Sequence, residues 1–286
     1  AYGPRQNQKN FASTIVLNIK LEVFIPLFLL IPMKFEDGSI YENYIEVVIN
    51  IIKHGLNFGS TVEDSFYYAN GFGIISFILS QKKFQKYCDY NLYNHFYNLF
   101  LNLTTEKLKT QMIKTILLNF NIWSRIEKTD EIVQIFDNWL NALFPHNLLI
   151  ISKIYSFSSL LNMIIFNFCL KEDEHLIKFQ YELPQLSKSF LSFIGNDDLN
   201  KITKTNLTEV QRQMINDILF QILLFFSVQK FTFDDYVLLV SYLANSQSSD
   251  LISNIKKLLL QMIILKPSPL ESVFENSTAL SKLHQV

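Results

Sequence analysis

Glu131-Ile132-Val133-Gln134-Ile135-Phe136-Asp137-Asn138-Trp139-Leu140-Asn141-Ala142-Leu143 decides the fold class. Ile132, Ile135, Phe136, Trp139, Leu140 and Leu143 recur at i, i+3, i+4, i+7, i+8 and i+11. Gln134, Asp137, Asn138 and Asn141 fill the opposite side. An α-helix turns once in about 3.6 residues, so this spacing gathers the apolar side chains on one face, with Trp139 on it as core. Pro145 is read as the stop, because its ring removes an N–H and clashes with the preceding turn.

The same pattern recurs on either side. Ser39-Ile40-Tyr41-Glu42 has the form of a capping box opening a helix with the stripe Tyr41, Tyr44, Ile45, Val48, Ile49 and Ile52, and Gly55 is expected to end it. Leu92, Phe96, Leu99, Phe100 and Leu103 mark another. After Thr104-Thr105 a further stripe runs through Leu108, Met112, Ile113, Ile116, Leu117 and Phe120. Leu148 to Leu170 is apolar nearly all round, as a central helix or a broken pair would be. Lys171 to Glu174 reads as a solvated turn, Pro184 as a helix start, and Gly195 to Asn206 as a polar loop. Glu209 to Val228, Asp234 to Ala244 and Leu251 to Leu265 complete the series, which Pro267-Ser268-Pro269 ends.

Helix starts recur about every 15–25 residues, and pairs of them approximate the roughly 40–47-residue unit of armadillo and HEAT arrays. The expected fold is therefore all-α, an irregular armadillo/HEAT-like α-solenoid. Residues 18–270 form the array, and residues 271–286 a polar tail. Only Ala12 to Leu17 reads as a strand. Composition agrees. The 286 residues are 49% hydrophobic and 18% charged, which excludes wholesale disorder. Seven Gly and seven Pro are few enough for a chain built of helices.

A formal net charge of −1 argues against nucleic-acid binding, and the Lys82-Lys83 and Lys256-Lys257 pairs are too small to change that. Cys88 and Cys169 suit a reducing compartment better than a disulfide framework. The apolar run Val23 to Ile31 is broken by Pro26. It is shorter than the about 20 residues a bilayer span needs, so it reads as a buried helix. No transmembrane segment is expected. The sequons at Asn102, Asn206 and Asn276 read as chance matches in an Asn-rich chain. The opening Ala1-Tyr2-Gly3-Pro4, with no charged-then-apolar leader after it, suggests a segment of a longer protein.

No catalytic equipment is recognisable. Gly71-Phe72-Gly73 lacks the third glycine of a dinucleotide fingerprint and reads as a tight entry to an apolar helix. His54, His95, His146, His175 and His284 are dispersed. Cys88 and His95 supply two ligands where zinc takes three or four, so Cys88 reads as core and His95 as polar face. Asp234-Asp235 sits where a helix N-terminus favours negative charge, and Asp197-Asp198 reads as loop. Glu172-Asp173-Glu174 is most simply a solvated face. Trp123 reads as core, its N–H finding a carbonyl at a helix end. Expected catalytic, cofactor and metal residues are therefore none, and partner-binding residues are unknown.

Two phrases reach further. Tyr68-Ala69-Asn70-Gly71-Phe72-Gly73-Ile74-Ile75-Ser76-Phe77-Ile78-Leu79 resembles a segment in the armadillo-like region of BEACH-family proteins, the neurobeachin and Chediak–Higashi group. Leu117-Leu118-Asn119-Phe120-Asn121-Ile122-Trp123-Ser124-Arg125 is similar to a second segment of that region, in the expected order. Asn70 stands where the family more often has Gly, and Asn119 and Asn121 where Asp and a basic residue are usual. Tyr2-Gly3-Pro4-Arg5, with Phe11 and the stretch to Leu17, resembles the last strands of the concanavalin-like domain lying just upstream in that family. On that basis residues 1–17 would be a β remnant, and composition favours a yeast beige-protein homologue.

The resemblance implies a non-enzymatic scaffold segment of a large protein acting in vesicle trafficking, membrane dynamics and protein sorting. Its partners would be other proteins, or the rest of the same chain. It would be cytoplasmic, and peripheral on endosomal or vesicle membranes. Alternative readings are a stand-alone helical-repeat adaptor in transport or complex assembly, and an enzyme with an unrecognised all-helical site. The stripe itself is testable: Ile135→Asp or Trp139→Asp should unfold the chain locally, since each puts an unpaired charge in the core. Soluble, fully helical variants by circular dichroism would refute the stripe.

Overall fold

The computed structural model describes residues 20–30, 38–124, 126, 128–165, 209–227, 231–246 and 249–265. Among them every regular element is helical, and the all-α class expected from the sequence stands. The strand at Ala12 to Leu17, the acidic run Glu172 to Glu174, the helix after Pro184, the loop around Asp197-Asp198 and the tail after Pro269 lie outside the described residues.

The chain divides into two compact units, Ala1–Ile135 and Phe136–Val286. The first begins with a 3₁₀ helix, Leu21–Leu30, carrying Pro26 inside it. The run Val23 to Ile31 reads in the sequence as a buried helix; the helix found is 3₁₀, with Leu21, Ile25 and Phe28 buried and Val23 exposed, since its winding brings every third or fourth side chain inward. Next come α1 (Gly38–Leu56), α2 (Ser60–Tyr68), α3 (Gly71–Leu79), a 3₁₀ helix at Lys82–Tyr87, and α4 (Tyr90–Asn102). Helix α5 (Glu106–Met112) continues as a π turn, Ile113–Leu117, and the single-turn α6 (Phe120–Trp123) follows. Helix α7 (Thr129–Asn138) begins in this unit.

The expected stripes are the core. Ile45, Val48, Ile49 and Ile52 of α1 are buried, as are Leu92, Phe96, Leu99 and Phe100 of α4. Helix α1 packs on the first 3₁₀ helix and on α4, α2 packs on α5, and α3 packs on the π turn. Each helix thus buries its stripe against neighbours ahead and behind, as stacked repeats do.

Two local readings change. Gly55 does not end α1 by adopting a left-handed conformation. It lies inside the last turn, where a Cβ would collide with the Leu21 side chain, so close packing explains it. The positive φ comes later, at Gly59 (φ +127°), which stands as the N-cap of α2. Phe120 does not close the α5 stripe either. The π turn uses up the register, Leu118 leaves the helix, and Asn119 caps a new turn by accepting a hydrogen bond from the Asn121 N–H at 3.0 Å.

In the second unit, α7 passes through a π turn at Trp139–Leu143 into α8 (Phe144–Ile154). Pro145 therefore does not stop the helical path. It occupies the first turn of α8, where its missing N–H has no intrahelical partner to lose, and the bend is taken up at Asn147. Helix α9 (Phe157–Ile164) follows, so the expected broken pair is present as far as Ile165. Then come α10 (Glu209–Ser227), α11 (Phe233–Asn245) and α12 (Ser249–Leu265). Helix α10 packs on α8, α9 and α12, and α11 on α12 and α9. The Phe231 ring, between Phe157 and Tyr236 in edge-on contacts at 4.8 and 4.7 Å, fills the corner where α9 and α11 meet.

Gly71 marks a close approach to an aromatic ring in the first unit. A Cβ there would overlap the ring of Phe66, which packs edge-on against Phe72 at 5.1 Å and is fully buried. Gly71→Ala should lower stability by about 1–3 kcal/mol, the usual range for overpacking a closed core. Urea unfolding of the variant beside the parent chain measures it, and an unchanged midpoint would contradict the packing.

Candidate functional site

The polar groups that define this region join helices to helices. Glu63 on α2 is 1% exposed, and its carboxylate accepts from the Thr104 N–H at 2.8 Å, the Thr104 hydroxyl at 3.0 Å and the Thr105 N–H at 2.6 Å. Those donors sit at the N-terminus of α5, whose first backbone N–H groups lack intrahelical acceptors and whose dipole favours an anion. Burial pushes the Glu63 carboxyl up, but the bonds from Thr105 and Thr104 outweigh it and hold the group below the ordinary value of 4.5. The N-terminus of α4 is served in the same way. Asp89 accepts from the Leu92 N–H at 2.7 Å, and Glu131 accepts from the Tyr90 N–H at 3.1 Å.

Amides continue the pattern. The Gln111 amide donates to the Tyr67 carbonyl at 3.3 Å and to Asn70 Oδ1 at 3.1 Å. The Asn119 amide donates to Ser76 Oγ at 2.9 Å and to the Thr115 carbonyl at 2.9 Å. The bonds from Glu63, Glu131, Gln111 and Asn119 to the neighbouring turn span 41 to 44 residues. That separation is a repeat length, so each pairs an element of one helical unit with its counterpart in the next. The Ser76–Asn119 bond joins the two phrases singled out in the sequence.

Around Ser76 and Asn119 the packing is aromatic and closed. Trp123 is fully buried, donates from Nε1 to the Ile116 carbonyl at 2.6 Å, and meets the Tyr93 ring edge-on at 5.3 Å. Trp139 is likewise buried, against Phe136 at 4.6 Å. Both tryptophans are core, as expected. Gly71 starts α3 after Asn70, which takes a left-handed conformation at φ 55°, ψ 40°. Asn tolerates that region best after Gly, which accounts for Asn70 here.

The remaining sequence candidates are dispersed. Cys88 is buried, its Sγ 3.5 Å from the Phe84 carbonyl. It precedes α4, so it does not share a helix with half-buried His95. No group of three His, Cys, Asp or Glu that could hold a metal occurs among the described residues. In the second unit Asp235 completes a capping box, accepting from the Thr232 N–H at 2.9 Å and hydroxyl at 2.8 Å. Burial raises its carboxyl despite those bonds, and neighbouring Asp234 adds to the rise. Asp234-Asp235 is thus a cap. Among the described residues no single helix is long and apolar enough to cross a membrane. Asp130–Ile154 and Phe157–Ile164 pass that test only together, bent by 105°.

Helices stacked in register, with polar side chains bonding one repeat to the next, define an α-solenoid segment. Residues 21–284 match the family described as "Neurobeachin/BDCP, DUF4704 alpha solenoid region", and the chain belongs to it. Neither the curated proteins nor the solved structures yield a match.

Sequence reading missed Glu63, Gln111 and Ser76 because each acts across 41 to 44 residues, beyond the reach of helical periodicity. Glu63 gives one visible signal, an acid wedged between Val62 and the Phe66 stripe. Glu63→Gln should lower stability at pH 7 by about 1–3 kcal/mol, since it weakens bonds to a charged acceptor and sets a donor against N–H groups. Because the folded carboxyl lies below 4.5, the parent's advantage is complete above that pH and fades as pH falls through the folded value. Denaturant titrations of both proteins between neutral and acid pH measure the gap, and a gap that widens in acid would contradict the assignment.

Proposed function

We propose that this chain is a non-enzymatic helical scaffold segment of a large BEACH-type protein, acting in vesicle trafficking, membrane dynamics and protein sorting through protein–protein contacts. The carrying observation is where the buried carboxylates go. Glu63 and Asp235 each bond a helix N-terminus, and Asn119 bonds between stacked turns. Polar chemistry in such a chain serves to hold surfaces in fixed relation, and an array of that kind works by presenting an extended surface to partners.

In this reading the protein is a yeast beige homologue, cytoplasmic and peripheral on endosomal or vesicle membranes. Residues 1–17 are the end of a concanavalin-like domain, residues 18–270 the array, and residues 271–286 a polar tail. No residue is assigned to catalysis, cofactor or metal, and the partners are other proteins or further parts of the same long chain.

A coding frame that continues into a BEACH domain supports the reading, and one that stops short of it refutes the BEACH context. The immobilised chain should also retain defined cytosolic or membrane-extract proteins, and lose them when exposed surface residues are changed with helicity intact. Retention of nothing above a control helical protein would refute the scaffold role.

A further inference from the structure

Helix α3 buries one side completely and exposes an apolar ridge on the other. Phe72, Ile75, Ile78 and Leu79 face the core, whereas Ile74 is 41% and Phe77 68% exposed. Ile74 and Phe77 lie at i and i+3 within α3, one turn apart on the same side, while Asn70 precedes the helix in a left-handed conformation and Gln81 follows it in an extended one. Tyr68, 73% exposed, stands just before it.

The rim of this ridge is basic. Lys107 lies over the Tyr68 ring, 5.9 Å from its centre. Gln111, bonded to Asn70, brings α5 alongside the start of the ridge, and exposed Lys114 is three residues further along that path. At the other end Lys82 and Lys83, both exposed, follow Gln81 directly. Along the chain no Asp or Glu occurs from Ser65 to Cys88 or from Lys107 to Ile126, between Asp64, Asp89, Glu106 and Glu127, although Glu22 lies on the 3₁₀ helix that packs on α3. In a chain of net charge −1 this is a local concentration of positive charge around exposed apolar side chains.

We propose that the α3 ridge docks an acidic amphipathic helix of a partner protein. The inference rests on the scaffold reading and specifies the chemistry of one partner. Ile74 and Phe77, one turn apart, match apolar anchors spaced i and i+3 or i+4 on a facing helix, whose flanking carboxylates would meet the lysines. A second copy of this chain is a poor occupant, because a self-complementary contact would oppose lysine to lysine. A bilayer is also a poor occupant, because α3 offers it only Ile74 and Phe77, and attachment to a bilayer scales with the apolar area inserted.

The test is selection from a displayed library of helical peptides of about 16 residues, roughly 24 Å long, against the whole chain. The expected winners carry apolar residues at i and i+3 or i+4 among Asp and Glu, and bind less tightly as salt rises. Their affinity should fall about tenfold or more in the Ile74→Ser/Phe77→Ser variant and again in the Lys82→Glu/Lys114→Glu variant. All four residues are exposed, and circular dichroism verifies that each variant stays folded. Selection of no acidic amphipathic peptide, or binding indifferent to both variants, overturns the proposal. So does co-sedimentation with phosphatidylserine–phosphatidylcholine vesicles that depends on Ile74 and Phe77 while peptides fail. If the Ile74→Ser/Phe77→Ser variant keeps every protein retained by the parent chain, this inference falls and the scaffold reading survives.

Discussion

The first unit depends on one carboxylate. Glu63 leaves water entirely, which is unfavourable for a charged group unless donors replace its hydration. Two backbone N–H groups and a hydroxyl do so, and all three belong to the chain at the start of α5. The bonds therefore fix the position of α5 over α2 in both directions: the helix end needs an acceptor, and the buried acid needs donors. Apolar packing alone would tolerate sliding, because a stripe of Leu and Ile fits a neighbouring stripe almost equally well one turn along. A charge that must meet a helix end does not allow that slide.

The amide bonds extend the same logic along the stack. Gln111 ties α5 to the turn that leads into α3, and Asn119 ties the turn before α6 to Ser76 within α3. Asn119 performs two jobs at once. Its carbonyl oxygen caps α6, and its amide group donates backwards to Ser76 and Thr115. An Asp at this position would keep the cap and could accept from the Ser76 hydroxyl, but it would have no donor for the Thr115 carbonyl. The π turn between α5 and α6 earns its place in the same way. One wider turn rotates Leu118 and Asn119 out of the α5 register and allows Asn119 to face Ser76.

What could be read from the sequence followed from locality. Ile132, Ile135, Phe136 and Trp139 revealed their shared face because a helix repeats within a few residues, and all four are buried. Asp234-Asp235 was legible as a cap because a capping box is complete within four residues. The π turns at Ile113–Leu117 and Trp139–Leu143 were not legible, since each keeps the helical path and changes only its phase. Pro145 was misread for a related reason: the residue that blocks one helix is equally suited to start another. Gly55 was misread because a glycine near a helix end has two physical uses, a left-handed exit and a close approach, and only the position of Leu21 distinguishes them. The stacking bonds of Glu63 and Gln111 were invisible for want of range.

This division between inner and outer chemistry sets what the described carboxylates do. Glu63 is stabilised as an anion by donors that belong to the fold, and it is shut away from solvent. A general base needs the reverse, an open approach and a proton affinity near the working pH. Asp235 is shifted upward, as a proton-transfer group would be, but its donors are Thr232 at its own helix start and the Ser158 backbone at the start of α9. Cys88 is buried, its Sγ donating to the Phe84 and Leu79 carbonyl oxygens. With the interior groups committed to holding helices in register, chemical variety is left to the exposed side chains. On α3 those are Ile74 and Phe77 beside lysines, a pairing that a folded chain has no internal reason to keep in water.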